Sequence, residues 1–375
     1  MNIRRIVDRP DRAPRIAGAG LLALDVIIPD PSSPDALTFA GGTCGNVLSI
    51  LSFLRWRATP IGFIGSDPAG ERVLADLASA GVHSTHLIQH AKWSTPVFIQ
   101  RLQRDQEGRP KHSFTNATKC HHCGYPLGGT VSASKMGATP LRKLTTSEQV
   151  DVFFMDRLSE DILSLAESAH SQGALVFYEP SAKEDVRYWQ DAFDLINIVK
   201  YSSDRFESDE LAPFIAGKPR CELWEIQTQG SRGLRYRKHG TRSPGIMQWT
   251  TSPAIPAMRV VDTCGAGDWC SAGLLHGLLT FQIEHDAESF AIAARFGQLL
   301  AAWACAFVGA RGAMYCNDQQ TAWAAILSLA ESRQMDLSRL PFTTKCAPSN
   351  NYSDMSSCVA HTREIGHTKS TPGCR

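Results

Sequence analysis

Residues 260–274 read VVDTCGAGDWCSAGL. Three small residues, Gly265, Ala266 and Gly267, separate a β-branched lead-in from one acid, Asp268, and a long apolar run with helical spacing follows. If a helix starts here, its first N–H groups have no internal partner and carry the positive end of the dipole. Side chains this small let an anion approach those amides, as at phosphate sites generally. Asp268 at the mouth could then take a proton from a hydroxyl attacking that phosphate, the base role in phosphoryl transfer. The plainer alternative makes Asp268 a helix cap. The stretch alone does not choose between them.

Other stretches could also do chemistry. GGTCGN (41–46) is a glycine turn opening into a helix, and GLLALDVI (20–27) ends an apolar strand with Asp25 in it. Paired glycines let a ring lie close to backbone, and a carboxylate accepts two hydroxyls. EIQTQGSRGLRY (225–236) is a strand running into a Thr-Gly turn. In HSFTNATKCHHCGYPL (112–127), Cys120 and Cys123 have the C-x-x-C spacing of a zinc knuckle, with His112 upstream. A closed site needs four ligands and no second C-x-x-C follows, so a plain turn with free thiols and a redox pair stay open beside zinc. Asp156-Arg157 stands just past a strand, where α/β enzymes display site residues, or it is a surface ion pair or helix cap. AGAGLLA (17–23) fits a dinucleotide fingerprint, but β-branched LDVII and Pro29 follow it, leaving no helix to receive a pyrophosphate. No G-x-x-x-x-G-K-[ST] occurs, which excludes a P-loop phosphotransferase. Trp189, Trp249 and Trp303 sit among apolar residues and read as core.

The elements that must hold these residues alternate. RIAGAGLLALDVII (15–28) is an apolar strand region, PDPSSPD (29–35) a turn cluster and 39–56 a turn and helix. ATPIGFIGSD (58–67) reads as a strand and 70–82 as a helix stopped by Gly81. Residues 92–150 break the rhythm, as an insertion or lid would. Alternation resumes with strands at 150–158, 174–180, 195–202 and 221–230, and with helices at 160–173, 185–193, 287–307 and 318–334. This pattern predicts an α/β domain with a mostly parallel central sheet covered by helices. An N-terminal arm (1–14), one domain (15–334) with lid segments near 29–40 and 92–135, and a disordered tail (335–375) are expected.

At 375 residues the chain can bury a large core. A net charge of +1 with 20% charged residues gives no electrostatic ground for nucleic acid or an anionic membrane. No apolar run reaches the roughly 18–20 residues of a membrane span. The start, MNIRRIVDRPDRAPRI, lacks the apolar middle of a signal peptide, so a cytoplasmic protein is expected. The 11 cysteines have no framework spacing and read as reduced thiols.

Together, VVDTCGAGDWCSAGLLHGLL, GGTCGN with GFIGSDPAGERVLADLASAGV (62–82), Asp25 and the Thr228 turn resemble, in order, the motifs of the ribokinase-like (PfkB-type) carbohydrate kinases. The resemblance spans about 15–330 and implies a three-layer α/β/α fold with a small β lid, and an ATP-dependent kinase acting on a hydroxymethyl group of a sugar or sugar-like small molecule. It implies Asp268 as catalytic base and the Gly265, Ala266 and Gly267 amides as anion hole. It implies Asp25, Gly41, Gly42 and Asn46 as substrate-binding residues. Lys200, Ser202, Thr228, Gly230, Gly233, Gly309 and Gly312 would serve ATP, and Asp262 with the Cys264 carbonyl would match a monovalent-cation (K+) loop. ATP and Mg2+ are the implied cofactors, with K+ at that loop and a structural Zn2+ at Cys120, Cys123 and His112 as further candidates. Lids of this type often pair in homodimers. One departure stands out: where the family carries N-x-x-E, this chain has Ser202 for the Asn and Arg205 for the Glu, although Lys200-Tyr201-Ser202 matches the Lys-x-Ser version of the fructokinase-like branch. Two rivals stay open: a nucleoside kinase of the same fold, with Trp93 or Phe98 stacking on a base, and a non-catalytic nucleotide or sugar sensor.

Overall fold

The computed structural model describes residues 12–28, 36–108, 110–120, 124, 127, 149–181, 183–215, 222–240, 248–281, 287–332 and 335–343. Among these, thirteen strands run in chain order: β1 Arg15–Ala19, β2 Ala23–Ile28, β3 Leu37–Gly41, β4 Arg57–Gly65, β5 Leu87–His90, β6 Val97–Arg104, β7 Pro110–Asn116, β8 Val152–Met155, β9 Leu175–Tyr178, β10 Ile198–Ser202, β11 Leu223–Thr228, β12 Leu234–His239 and β13 Thr250–Ser252. The α-helices are α1 Thr43–Phe53, α2 Pro68–Ser79, α3 Glu160–Ser171, α4 Trp189–Ala192, α5 Ser208–Ile215, α6 Ala266–Thr280, α7 Ala287–Ala304, α8 Gly312–Cys316 and α9 Gln319–Ser332.

Nine strands form the central sheet in the order β13-β12-β11-β10-β9-β8-β1-β4-β5. The seven from β11 to β5 are parallel, and β12 and β13 close one edge antiparallel. β8 (VFFM) and β9 (LVFY) are buried at every position, as expected of strands covered on both faces. One face carries α1, α2, α6 and α7 over Leu48, Trp269, Leu300 and Trp303, and the other carries α3 and α5 over Ile162, Leu165 and Leu211. The carboxyl ends of the parallel strands therefore gather Gly20, Asp156, Glu179 and Thr228 along one rim, where open α/β sheets bind ligands.

A second sheet, β3-β2-β6-β7, stands at that rim. RIAGAGLLALDVII is thus two strands in two sheets, broken at Gly20. The break has a visible cause: the Asp156 carboxylate accepts from the Leu21 N–H at 2.8 Å and from the Cys44 N–H at 3.2 Å. A side chain at position 20 would fall 1.9 Å from Asp156 Oδ1. Asp156 is fully buried, so it clips the turn and the start of α1 rather than facing a ligand.

Three expectations need correction. Trp249 is half-buried, not core, and the guanidinium groups of Arg235 and Arg237 lie 4.4 and 4.2 Å from its ring; Trp189 and Trp303 are core. Within the expected tail, residues 335–343 dock: Leu337 and Leu340 are buried and Trp303 Nε1 donates to the Pro341 carbonyl at 2.8 Å. Residues 344–375 lie outside the described ones. Cys316 is disulfide-bonded, whereas Cys44, Cys120, Cys264, Cys270 and Cys305 are free thiols. No helix among the described residues is long and apolar enough to cross a membrane.

Candidate active site

Gly265 is the N-cap of α6, with φ 76°. That left-handed conformation favours glycine, and a Cβ there would lie 2.4 Å from Ala310 Cα. No side chain caps the helix. Asp268 sits three residues further on, so the capping reading fails and the acid is free for another role. The Ala266 amide is partly spent on the Thr263 carbonyl at 3.3 Å, while Gly267 is exposed. The dipole end of a fifteen-residue helix is thus left open to an anion.

Asp268 is buried, and its Oδ2 accepts from Asn46 Nδ2 at 2.8 Å. Burial, then the Glu179 carboxylate, push its pKa up to about 8, against the Asn46 hydrogen bond and the charges of Lys200 and Arg205. Asn46 comes from the first turns of α1, whose N-cap is Gly42. Its Oδ1 is buried with no hydrogen-bond partner among the described residues, which costs about 1–3 kcal/mol unless a ligand donates to it. Asp25 crosses from the lid sheet, and the space a side chain at Gly41 would fill is taken by the Asp25 carboxylate, 1.9 Å away. Burial pushes Asp25 up to about 7, with Arg311 pulling it down and Asp76 adding to the rise. Asp25, Asp268 and Asp262 all bear on the Cys264 thiol, which burial first drives upward. Four segments far apart in sequence therefore meet here: 25, 41–46, 262–268 and 309–311.

Lid register decides what flanks Asp25. Phe39 on β3 and Phe98 on β6 lie directly beside it and share its face. Trp93 does not: it stacks on Phe63 at 5.2 Å and meets His90 edge-on.

The 309–312 turn ties the halves of the site together. Gly309 N–H donates to Asp262 Oδ2 at 2.9 Å, and the Ala310 carbonyl accepts from Trp269 Nε1 at 2.9 Å. Arg311 is buried, pairs with Asp76, and donates to the Ala40 carbonyl and to Ser49 Oγ. Asp76 also accepts from the Ala40 N–H at 2.6 Å and from Tyr315 Oη at 3.1 Å, and Tyr315 stacks on Phe39 at 4.6 Å. Asp262 is wholly buried and takes three N–H donors, from Gln100 Nε2, Gly309 and Cys264. Gln100 belongs to lid strand β6, so Asp262 knots the lid to the anion loop.

At the carboxyl rim of the sheet, Thr228 ends β11 and its Oγ1 donates to the Tyr201 carbonyl at 3.4 Å. Position 230 opens to free space. Gly233 is shaped by packing, since a Cβ there would lie 2.3 Å from the Ser252 carbonyl oxygen, and Gly312 likewise packs on Phe307. Ser202 Oγ accepts from the Asp204 N–H, and Arg205 is exposed. Lys200 lies against Glu179 and the first turn of α6. Of the knuckle, Cys120 is buried, Cys123 lies outside the described residues, and so does the side chain of His112.

Glu179, Asp76, Arg311 and Gln100 escaped the motifs. Only Glu179 left a signal, a charged residue closing the buried strand ALVFY.

Residues 146–318 match the model of the pfkB family carbohydrate kinases. Similar solved structures include a fructokinase with bound ATP from Xylella fastidiosa (TM-score 0.62, 19% identity, 85% of this chain and 98% of that one). A ribokinase from Arabidopsis thaliana complexed with ribose and ATP gives 0.58, 17%, 85% and 99%. An aminoimidazole riboside kinase from Salmonella enterica, complexed with its riboside and an ATP analogue, gives 0.59, 20%, 79% and 95%. No curated protein matches by sequence.

Proposed function

We propose that this chain, ribokinase-like in fold and in its residues 146–318 a member of the pfkB carbohydrate kinases, transfers the γ-phosphoryl group of ATP to a hydroxymethyl group of a sugar or sugar-containing small molecule. One observation carries the proposal. Asp268 is a non-capping acid at the open start of α6, held by Asn46, and both it and Asp25 bear on the Cys264 thiol.

Asp25 and the unpartnered Asn46 Oδ1 accept the acceptor's hydroxyls and orient its ring against Gly41. Asp268 takes the proton of the attacking hydroxyl. The oxygen then bonds the γ-phosphorus, the bond to the β-phosphate oxygen breaks, and ADP leaves. The amides of the α6 start meet the charge that develops. Thr228 and the open Gly230 turn flank the nucleotide, and the Asp262–Gln100 contact lets the lid answer to the anion loop.

The fold family implies magnesium and a monovalent cation. The donors here do not fit a protein-held divalent ion: Arg205 replaces the organising acid, and both Glu179 oxygens are engaged by Lys200 and Ser271. At the 262–264 loop both Asp262 oxygens take N–H donors, so a monovalent cation there would draw on the Cys264 carbonyl. No group of three or more His, Cys, Asp or Glu among the described residues could hold a metal. Magnesium therefore enters only as part of the substrate MgATP.

The test is ADP release from MgATP over a panel of pentoses, hexoses and ribosides. Ribosides belong in it because Phe39 and Phe98 flank Asp25. Turnover above background with at least one acceptor is expected; nucleotide binding with no turnover across the panel would instead favour a sensor.

A further inference from the structure

β9 and β10 are parallel neighbours, and Tyr178 registers with Val199. The next pair, at the carboxyl rim, is Glu179 and Lys200, both on the side of α6. The Lys200 ammonium contacts Glu179 Oε1 at 2.5 Å, and the side chains are 2% and 12% exposed. The other carboxylate oxygen accepts from Ser271 Oγ at 2.5 Å. Ser271 follows Asp268 by three residues, so the two share a face of α6. Glu179 thus joins the sheet to the helix that carries the base.

Stability is a weak reason for such a pair, because two well-packed apolar residues would do as well or better. The ammonium itself suggests another. It carries three donors; Glu179 takes one, and no second acceptor among the described residues reaches it. A Cβ on Gly267 would lie 3.8 Å from both Lys200 Nζ and Glu179 Oε1, so the ion pair sits behind the first turn of α6. Nearby, the exposed Arg205 occupies the place of an acid, and its field reaches Asp268. Lys200 and Arg205 thus bring two cations up to the carboxylates of Glu179 and Asp268.

We propose that Glu179 is a positioning residue for phosphoryl transfer: it fixes the Lys200 ammonium behind Gly267, where the remaining N–H donors meet an oxygen of the transferring phosphoryl group. This rests on the kinase reading. Glu179 touches no reacting atom and acts through Lys200.

The test is a double-variant cycle of Glu179→Gln and Lys200→Met, read by ADP release and by affinity for a non-hydrolysable ATP analogue. Lys200→Met is expected to lower kcat by about a hundredfold, the size of losing one charge-stabilising donor, and Glu179→Gln by about tenfold. The acceptor KM should stay within threefold in both. Glu179→Gln should also shift the acid limb of the pH–kcat/KM profile to lower pH, since it removes the carboxylate that presses on Asp268. The double variant should be no slower than Lys200→Met alone, because the two act as a unit. It leaves no buried unpaired charge, so it keeps the test open if a single variant misfolds. Glu179→Gln with kcat within twofold and an unmoved acid limb would overturn the proposal, as would losses that multiply in the double variant. If the wild type phosphorylates nothing, the kinase reading falls by itself. The analogue then decides: parallel losses of affinity in both single variants support the Glu179–Lys200 unit, and unchanged affinity overturns it.

Discussion

Among the described residues Asp268 has one hydrogen-bonding neighbour, and Asn46 therefore tunes it. Its proton affinity in the free protein is set by burial against that bond, with a pKa of about 8. A base works deprotonated, so kcat/KM should rise with pH to a plateau above about 8. Asp25, at about 7, adds to the same limb, because its carboxylate accepts best when charged. Asn46→Ala removes a bond to the charged form worth about 1.5–3 kcal/mol, so the acid limb should move up by roughly one to two pH units. A limb that stays in place or moves down would show that Asn46 does not support the base. At this scale the motif residues were legible because short spacing fixes their geometry: a glycine N-cap and an acid three residues on need only one helix. Glu179 and Arg311 were not, because each finds its partner through tertiary packing, Glu179 with Ser271 92 residues away and Arg311 with Asp76 235 residues away.

Among the elements, the start of α6 and the 309–312 turn form one unit. Gly265→Ala would force a left-handed alanine into contact with Ala310. Backbone strain alone costs about 1–3 kcal/mol, so a lower Tm and loss of turnover are expected together. Wild-type Tm and activity would mean the loop is not built as described. Arg311→Met strands Asp76 without its ion pair, at about 3–5 kcal/mol. Because Arg311 also holds the Ala40 carbonyl beside Gly41, the acceptor KM should rise more than the ATP KM. Equal changes in both would deny the clamp its link to the sugar side. Alternation of apolar runs made the parallel sheet readable, since buried strands such as LVFY look alike from either face. The split of residues 15–28 into two sheets was not readable, because the Asp156 clip that breaks them lies 135 residues away from Leu21.

For the whole molecule, the site is bought at the expense of stability. Asp25 and Asp268 have folded pKa values above the ordinary carboxylate value of 3.8, so the native state holds protons that the unfolded chain releases. Their contribution is full below about pH 4 and is lost as pH rises through about 7 and 8, so stability should fall across that window. Asp268→Asn should flatten the fall, giving a higher urea midpoint than wild type at pH 9 and little difference at about pH 4. A variant less stable than wild type at pH 9 would contradict the buried, proton-hungry site. The most direct measurement uses the same variant. Once the panel has identified an acceptor, ADP release and acceptor binding are measured side by side for wild type and Asp268→Asn. The account predicts turnover lower by roughly a hundred- to ten-thousand-fold, the worth of a general base, with binding within a few-fold of wild type; turnover within threefold would contradict it.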